Sequence, residues 1–306
     1  MTTGDYAPAA ADPRTLAPKG SAGRALLRYL QEQVQVLREQ DPRVRENAPD
    51  AVHKMRTATR RLRSALASYR ALLNPATADQ LRGELRWLAG VLGIARDAEV
   101  LHERLRGEVT DEAAALGIEP SINAIDELLG SDVHTAQLTV LDVLQSDRYF
   151  QLVAALEQLL ANPPLSADAR QPARRVAQSE IDADVKRLRR AVRVAGALPD
   201  GAARDHALHE VRKRAKRLRY AAEAAVTVDP RRATRMVALA QSLQEALGEH
   251  QDSVVARDVL LRLANEAHAR GEDAFGFGRL HALEEVRARA AEARFRRDWR
   301  TLLRAL

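Results

Sequence analysis

The chain of 306 residues is 46% hydrophobic and 29% charged, with a net charge of +6 and a pI of about 9.9. This composition supports one large or two ordinary domains with buried cores and excludes an intrinsically disordered chain. The absence of cysteine excludes disulfides and thiolate metal sites. Because no apolar run is long enough for a membrane span or a signal peptide, we expect a soluble, cytoplasmic protein.

The predicted elements are helical almost throughout. Residues 1–20 contain prolines among Gly, Ala and Thr, which predicts a disordered leader. From residue 21 onward Ala, Leu, Arg, Glu and Gln dominate and no β-branched alternating segment stands out, so we expect an all-α protein. The predicted helical segments are 22–40, 50–73, 77–106, a broken group over 119–162, 168–196, 204–226, 230–267 and 272–304.

The pair Pro163 and Pro164 predicts a joint, because neither residue continues a helix comfortably. Four helical segments lie on either side of it. The sequence therefore predicts two four-helix bundles, formed by residues 21–163 and 164–306.

One motif occurs twice, in residues 53–63 and 209–219. The copies read HKMRTATRRLR and HEVRKRAKRLR, and five of the eleven positions are identical. A Leu-Gly-x-x-x-Asp segment follows each copy and ends at Asp97 or Asp252, so the His-to-Asp spacing is 44 residues in one half and 43 in the other. This agreement predicts an internal duplication of roughly 150 residues.

Each copy predicts a helix with one cationic and one apolar face, because positions i, i+3, i+7 and i+10 share a face. The first row comprises His53, Arg56, Arg60 and Arg63, and the second row comprises His209, Arg212, Lys216 and Arg219. The opposite faces carry apolar residues, among them Met55 and Leu62 in the first copy and Val211 and Leu218 in the second. These faces predict packing into a helical core.

The two rows predict an external anion. A solvated helix face usually mixes charge signs at i,i+4, whereas both rows place like charges there, at a cost of about 0.2–0.5 kcal/mol per pair in an isolated helix. Each copy carries a charge of about +5, and concentrated positive charge attracts polyanions. Two alternatives explain the cationic faces without an anion: the faces are simply solvated, or they reflect a compositional bias toward arginine.

Other basic residues are additional candidates for the same anion. Lys54 lies in the first copy. Arg61 and Arg217 lie about 100° from their neighbours in the rows, so they either bind the anion or pair with acids at the flank. A further i, i+4, i+7 stripe either widens the site or is solvated, and it comprises Lys186, Arg190 and Arg193.

The Leu-Gly-x-x-x-Asp segments predict structural support for the rows. Asp97 and Asp252 are expected to hold a basic side chain of their own bundle through a charge-assisted hydrogen bond, in preference to a catalytic role. Gly93 and Gly248 predict a close approach between helices or a kink.

The start of the first basic helix suits a phosphate. Asp50 is a predicted N-cap, which places His53 in the first turn, near backbone N–H groups without partners and the positive end of the helix dipole. Both His53 and His209 lie among Arg and Lys that would repel a cation, so no metal site is predicted. The same field should lower a histidine pKa until an anion fills the site, so binding should strengthen as pH falls.

The doubled motif, with Tyr220 and Glu223 after its second copy and a later Leu-Gly-x-x-x-Asp in each half, resembles the CHAD family, the histidine-containing α-helical domain. The resemblance covers nearly all of the chain after the leader. It implies two four-helix bundles with pseudo-two-fold symmetry, whose basic helices line a central cavity, and it implies that the eight residues of the two rows face that cavity. It also implies inorganic polyphosphate as the ligand. The Glu-x-Glu-x-Lys signature of the CYTH-type triphosphatase that accompanies some members is absent, so hydrolysis is not implied.

We therefore predict a non-enzymatic protein without a cofactor that binds linear inorganic polyphosphate and docks on polyphosphate granules. The alternative is a nucleic-acid-binding protein that uses the same helices, although the sequence offers few aromatic residues for base stacking and no helix-turn-helix motif. A polyphosphate phosphohydrolase is less favoured, because no Gly-rich phosphate loop, Mg²⁺-binding carboxylate pair or nucleophile is evident.

Overall fold

The computed structural model describes residues 17–116 and 119–305, with side chains described outside 108–124 and 305. Within these residues the chain forms nine α-helices and no β-strand, which confirms the all-α fold class. The helices are α1 (Ala22–Arg45), α2 (Ala51–Ser68), α3 (Pro75–Leu116), α4 (Glu119–Leu144), α5 (Asp147–Ala161), α6 (Ala173–Gly196), α7 (Ala202–Ala225), α8 (Pro230–Ala269) and α9 (Phe275–Ala305). Short 3-10 helices, Arg70–Leu72 and Ala167–Arg170, follow α2 and precede α6.

The predicted helices occur in the predicted order, with differences at their ends. Helix α1 runs through Pro42 beyond the predicted end at residue 40, and Arg45 holds its last turn. The Nε atom of Arg45 donates to Asp41 at 2.5 Å, and its Nη2 donates to the carbonyl of Leu144 at 2.6 Å. The broken group over 119–162 is resolved into α4 and α5, and the Oγ atom of Ser146 caps α5 by accepting a hydrogen bond from the backbone of Tyr149.

The joint at Pro163 and Pro164 is confirmed as a break between helices. Helix α5 ends at Ala161, and the carbonyl of Pro164 then accepts a hydrogen bond from the backbone N–H of Asn74 at 2.8 Å. Residues 1–16 of the predicted leader lie outside the described residues. Of residues 17–20, Ala17 is buried and the other three are exposed, and the carbonyl of Gly20 accepts a hydrogen bond from the backbone of residue 173 at 2.9 Å.

The chain divides into two compact units whose boundaries fall inside helices. Unit 1 contains the described residues up to Gly93 together with Thr139–Ala183 and Tyr220–Thr234. Unit 2 contains Ile94–Leu138, Asp184–Arg219 and the residues from Arg235 onward. Each unit therefore draws on both halves of the sequence. The assignment of 21–163 and 164–306 as duplicated bundles with pseudo-two-fold symmetry stays a prediction.

In unit 1, α1 and α2 pack along each other through leucine-rich faces. Met55, Leu62 and Leu66 of α2 are fully buried, as are Leu30 and Leu37 of α1. Complete burial of such a side chain contributes about 1.5–3 kcal/mol. The predicted apolar face of the first basic helix is therefore its attachment to the core, which leaves the first row on the other side.

The core of unit 2 includes an ion pair as well as apolar side chains. The apolar cluster contains Leu105, Leu260 and Leu280. Beside it Arg104 donates to both carboxylate oxygens of the fully buried Glu284, at 2.6 and 2.7 Å. A charge of this kind is tolerated in a core only when its partner and hydrogen bonds are in place. No helix in the described parts of the chain is both long and apolar enough to cross a membrane.

Candidate functional site

The first row lies on α2 in unit 1. His53 is exposed, whereas Arg56, Arg60 and Arg63 are half-buried. The burial of the opposite face fixes α2, so the cationic side chains emerge on one side as the 3.6-residue period predicts.

Arg63 lies in a cluster of guanidinium groups. Its pKa is lowered, first by burial and then by the positive charges of Arg60, Arg86 and Arg82, while Tyr220 has a smaller opposite effect. Helix α3 supplies Arg82 and Arg86, of which Arg82 also pairs with Asp79 at 2.8 Å. The folded protein thus holds Arg63 in its charged form at a cost, as expected of a site built to receive negative charge.

Sequence analysis did not identify Arg82 and Arg86 as site residues. They lie four residues apart on α3, the same i,i+4 spacing of like charges that occurs in both rows. That spacing is the signal that could have found them.

The second row lies on α7 in unit 2, with Arg212, Lys216 and Arg219 half-buried. The imidazole of His209 is also half-buried and forms a hydrogen bond with Gln251. Burial lowers the pKa of His209, and the charges of Lys213 and Arg212 lower it further. The predicted direction of the pKa shift is confirmed for His209, although burial is its largest cause.

One arginine of each row lies against the glycine of the following Leu-Gly-x-x-x-Asp segment. A Cβ atom built on Gly93 would lie 3.8 Å from Nε of Arg56, and one built on Gly248 would lie 3.6 Å from Nε of Arg212. Each glycine therefore provides a bare patch of helix surface on which a guanidinium group rests. In unit 1 this contact brings the first copy of the basic motif against its Leu-Gly-x-x-x-Asp segment, and in unit 2 the second copy is placed in the same way.

The two aspartates of these segments both belong to unit 2. Burial raises the pKa of Asp252, as do the charges of Glu249 and Asp97, while Arg212 and Arg104 act in the opposite direction. Asp252 therefore lies within the field of Arg212, a basic side chain of its own unit. Asp97 is exposed. The orienting roles of Asp97 and Asp252 stay predictions.

Arg61 and Arg217 are engaged by carboxylates, which favours pairing at the flank of each row over direct binding of an anion. The Nε atom of Arg61 donates to Glu223 at 2.7 Å. The Nε atom of Arg217 lies 2.8 Å from the buried carboxylate of Asp184. Both arginines are thereby part of the scaffold.

The other candidate cations are exposed. Lys54 is exposed on α2, and Arg193 is exposed on α6. Lys186 and Arg190 line a groove with His206 and residues 210 and 214 of α7. Those α7 positions lie roughly 140° around the helix from the second row, so this groove is separate from it.

The N-terminal cap of α2 differs from its prediction. Asp50 occupies the N-cap position, but its side chain makes no capping hydrogen bond and its φ is +60°, a left-handed conformation that Asp tolerates better than most residues. His53 is the third helical residue, as predicted, whereas His209 is the eighth residue of α7, so the two histidines do not occupy equivalent helix ends. No group of three or more potential metal ligands is assembled within the described residues.

Comparisons with known proteins agree with this architecture. The family model of the CHAD domain matches residues 28–261. Over 208 residues the chain is 39% identical to two Mycobacterium tuberculosis relatives named as uncharacterized proteins, MT2285 of strain CDC 1551 / Oshkosh and Rv2226 of strain H37Rv. Each match covers 66% of this chain but only 38% of the relative.

Two solved structures share the fold. PptA from Streptomyces chartreusis is 24% identical, with a TM-score of 0.77 over 92% of this chain and 99% of that chain. The CHAD domain from the plant Ricinus communis is 26% identical, with a TM-score of 0.66 over 95% of this chain and 96% of that chain. The family match over most of the sequence and the matching folds lead to one conclusion: the chain belongs to the CHAD domain family.

Proposed function

We propose that this protein binds inorganic polyphosphate, without catalysing its turnover, through the first and second rows. Membership of the CHAD family supports the ligand class, because the family is linked to polyphosphate. The function goes beyond what the fold alone establishes, so it rests on the charges and positions of the row residues.

The observation that carries the proposal is the position of Arg63 among Arg60, Arg82 and Arg86. Burial lowers the pKa of Arg63 most, and the charges of Arg60, Arg86 and Arg82 lower it further. An arriving chain of phosphates would relieve that repulsion and form charge-assisted hydrogen bonds at the same time. A purely structural arginine would instead be matched by an acid, as Arg61 is by Glu223.

Binding would draw on two physical contributions. Each guanidinium offers forked donors to phosphate oxygens, and each ammonium offers a mobile point charge. The release of counterions from the polymer adds a favourable term that weakens with salt. By analogy with single-stranded nucleic acids, neutralisation of about six phosphates gives a slope near −4 in a plot of log affinity against log salt.

Charge reversal in the first row tests the proposal. Polyphosphates of defined length would be titrated calorimetrically into the wild type, an Arg60→Glu/Arg63→Glu variant and an Arg28→Glu control, with folding checked by circular dichroism. Arg28 is an exposed arginine of α1 that forms no ion pair within the described chain. We expect the double variant to lose affinity about 100-fold and the control less than about threefold, because hydrogen bonds to charged groups contribute about 1.5–3 kcal/mol each. A folded double variant with wild-type affinity would remove the first row from the site.

Two further measurements test the ligand and the absence of catalysis. We expect long polyphosphate to outcompete single-stranded and duplex DNA at equal phosphate concentration, since the rows offer charge without aromatic stacking. Incubation of the wild type with polyphosphate and Mg²⁺ should release no phosphate above the buffer control. In cells, a fluorescent fusion is expected on polyphosphate granules, and the Arg60→Glu/Arg63→Glu variant is expected to leave them.

A further inference from the structure

A groove of about 630 Å³ lies between α6 and α7 in unit 2, away from the second row. Its volume falls in the range of sites for small molecules. The residues that define its two ends are Lys186, Arg190, Val194, Leu198, Ala203 and Arg214. From residue 186 to residue 198 the groove runs about 18 Å if the helical rise continues.

The groove changes character from one end to the other. A short connection, residues 197–201, joins the two helices, so residues near it meet at one end of the groove. That end is lined mainly by the apolar residues Val194, Leu198 and Ala203, with His206 close to them, and Val194 is left 56% exposed. The distant end is cationic, with Lys186 on α6 and Arg214 on α7.

The α6 cations of the distant end, Lys186 and Arg190, are not neutralised by the scaffold. Lys186, Arg190 and Arg214 form no ion pair with any residue that the structure describes. The carboxylate that lines the groove belongs to Glu210, which pairs with Lys213 at 2.6 Å on the same helix and also interacts electrostatically with Arg214. An anion that enters this end would therefore find cations available for pairing.

We propose that this groove binds a single-chain anionic amphiphile, with a phosphate or carboxylate head group at Lys186 and Arg190 and an apolar tail along Val194 and Leu198. Apolar area removed from water contributes about 25 cal/mol per Å², and the exposed floor around Val194 offers such area to a tail. The cationic end fixes the orientation of the ligand through charge-assisted hydrogen bonds. This proposal is independent of polyphosphate binding by the two rows.

The end-to-end polarity distinguishes this ligand from two others. An amphipathic partner helix carries its charges beside its apolar stripe along its whole length, so it would need a groove with cations along both rims. Polyphosphate would leave charges beside Val194, Leu198 and Ala203, whose side chains offer no hydrogen bonds, with His206 as the polar lining residue near that end. A molecule with one charged end and one apolar end matches both halves of the groove.

The test compares four probes by isothermal titration of the full chain below micelle-forming concentrations. Dodecyl phosphate and dodecanoate carry the proposed chemistry with two head groups, dodecyl maltoside has the tail without the charge, and inorganic phosphate has the charge without the tail. We expect one molecule of an anionic probe to bind per chain, about tenfold more tightly than either incomplete probe. The tighter of the two anionic probes identifies the head group.

Matched variants locate the binding. Val194→Glu is compared with Val286→Glu, since Val286 is an equally exposed valine of α9 outside the groove, at 62% exposure. Lys186→Glu/Arg190→Glu is compared with Arg189→Glu, an exposed position of the same helix that does not line the groove. We expect the groove variants to weaken the anionic probes about tenfold or more, and the controls to change affinity less than about twofold.

Three results would overturn the proposal. The first is dodecyl maltoside binding as tightly as dodecyl phosphate, and the second is several molecules binding per chain without saturation. The third is equal affinities in a groove variant and its control, with both folded by circular dichroism. Lys186 and Arg190 are both exposed, so their double variant keeps the test decisive even if Val194→Glu unfolds.

Discussion

The first and second rows share a sequence pattern but lie in different surroundings. Around Arg63, helix α3 adds the cations Arg82 and Arg86. At the positions of the second half that match these two, counted from the glycine of each Leu-Gly-x-x-x-Asp segment, the sequence has Val237 and Gln241. The second row instead has an amide, Gln251, beside its histidine and a carboxylate within the field of Arg212.

A motif that occurs twice in the sequence can therefore have a different electrostatic environment in each copy. Spacing along one helix fixes which side chains share a face, whereas neighbouring helices decide how strongly that face repels its own charges. We infer that the first row contributes most of the affinity for phosphate. On the same proposal, we expect the second row, whose histidine pKa is lowered, to contribute most of the dependence on pH.

The largest expected effect compares the ion pairs that support the two units. Arg104→Met should lower the free energy of unfolding by about 3–5 kcal/mol, because Glu284 would remain fully buried without its bidentate partner. Arg61→Met should cost about 1 kcal/mol, because its partner Glu223 is partly exposed and can be solvated. Urea unfolding of both variants measures the difference.

A second substitution separates a lost ion pair from lost packing at Arg104. The Arg104→Met/Glu284→Leu double variant should recover most of the stability, since it leaves no buried charge behind. Equal losses in Arg104→Met and Arg61→Met would show that burial of the partner does not set the cost.

The next prediction sets Arg63 against Arg219. Arg63→Met should weaken polyphosphate binding about tenfold while raising the free energy of unfolding of the ligand-free protein, because it removes one charge from a repelling cluster. Arg219→Met should weaken binding without any gain in stability. Calorimetric titration and urea unfolding of the same two proteins give both values, and a loss of stability in Arg63→Met would contradict the cluster.

The sequence predicted the helices that carry the two rows, but it did not predict the surroundings in which the rows differ. The helices and the faces of α2 and α7 were predictable because each depends on the 3.6-residue period within one segment. The electrostatic effect of Arg82 and Arg86 on Arg63, and the pairing of Arg61 with Glu223, involve residues of different helices. They depend on how the helices pack, which no local pattern specifies. The same reason explains why the boundaries of the two units, inside helices, were not predicted.

A smaller effect is expected from pH, and it compares the two histidines. The pKa of His209 is below its ordinary value of 6.5 in the ligand-free protein, and a bound phosphate should raise it by favouring the charged imidazole. Binding then takes up protons, so affinity rises as pH falls from about 8 toward 6, by at most about tenfold per pH unit for one proton.

His209→Gln should flatten this dependence in constant salt, whereas His53→Gln should change it less because His53 is exposed. In the ligand-free protein the sign is opposite. A folded-state pKa below the unfolded value means that stability is lost as pH falls below about 6.5. Unfolding and titration at several pH values check both directions, and an affinity that stays constant from pH 8 to 6 would exclude a direct role for His209.

The smallest expected effect comes from the two glycines beneath the arginines. Gly248→Ala would place a Cβ atom 3.6 Å from Nε of Arg212, and Gly93→Ala would place one 3.8 Å from Nε of Arg56, both ordinary contacts. Because alanine is favoured over glycine in a helix by about 1 kcal/mol, both variants should gain up to that amount of stability and keep their affinity. Gly248→Leu and Gly93→Leu should instead push the guanidinium groups off the helix surface and weaken polyphosphate binding. A loss of affinity in the alanine variants as well would show that each arginine needs a glycine, and not merely a small residue, beneath it. The two units would then share this requirement despite the different charges around their rows.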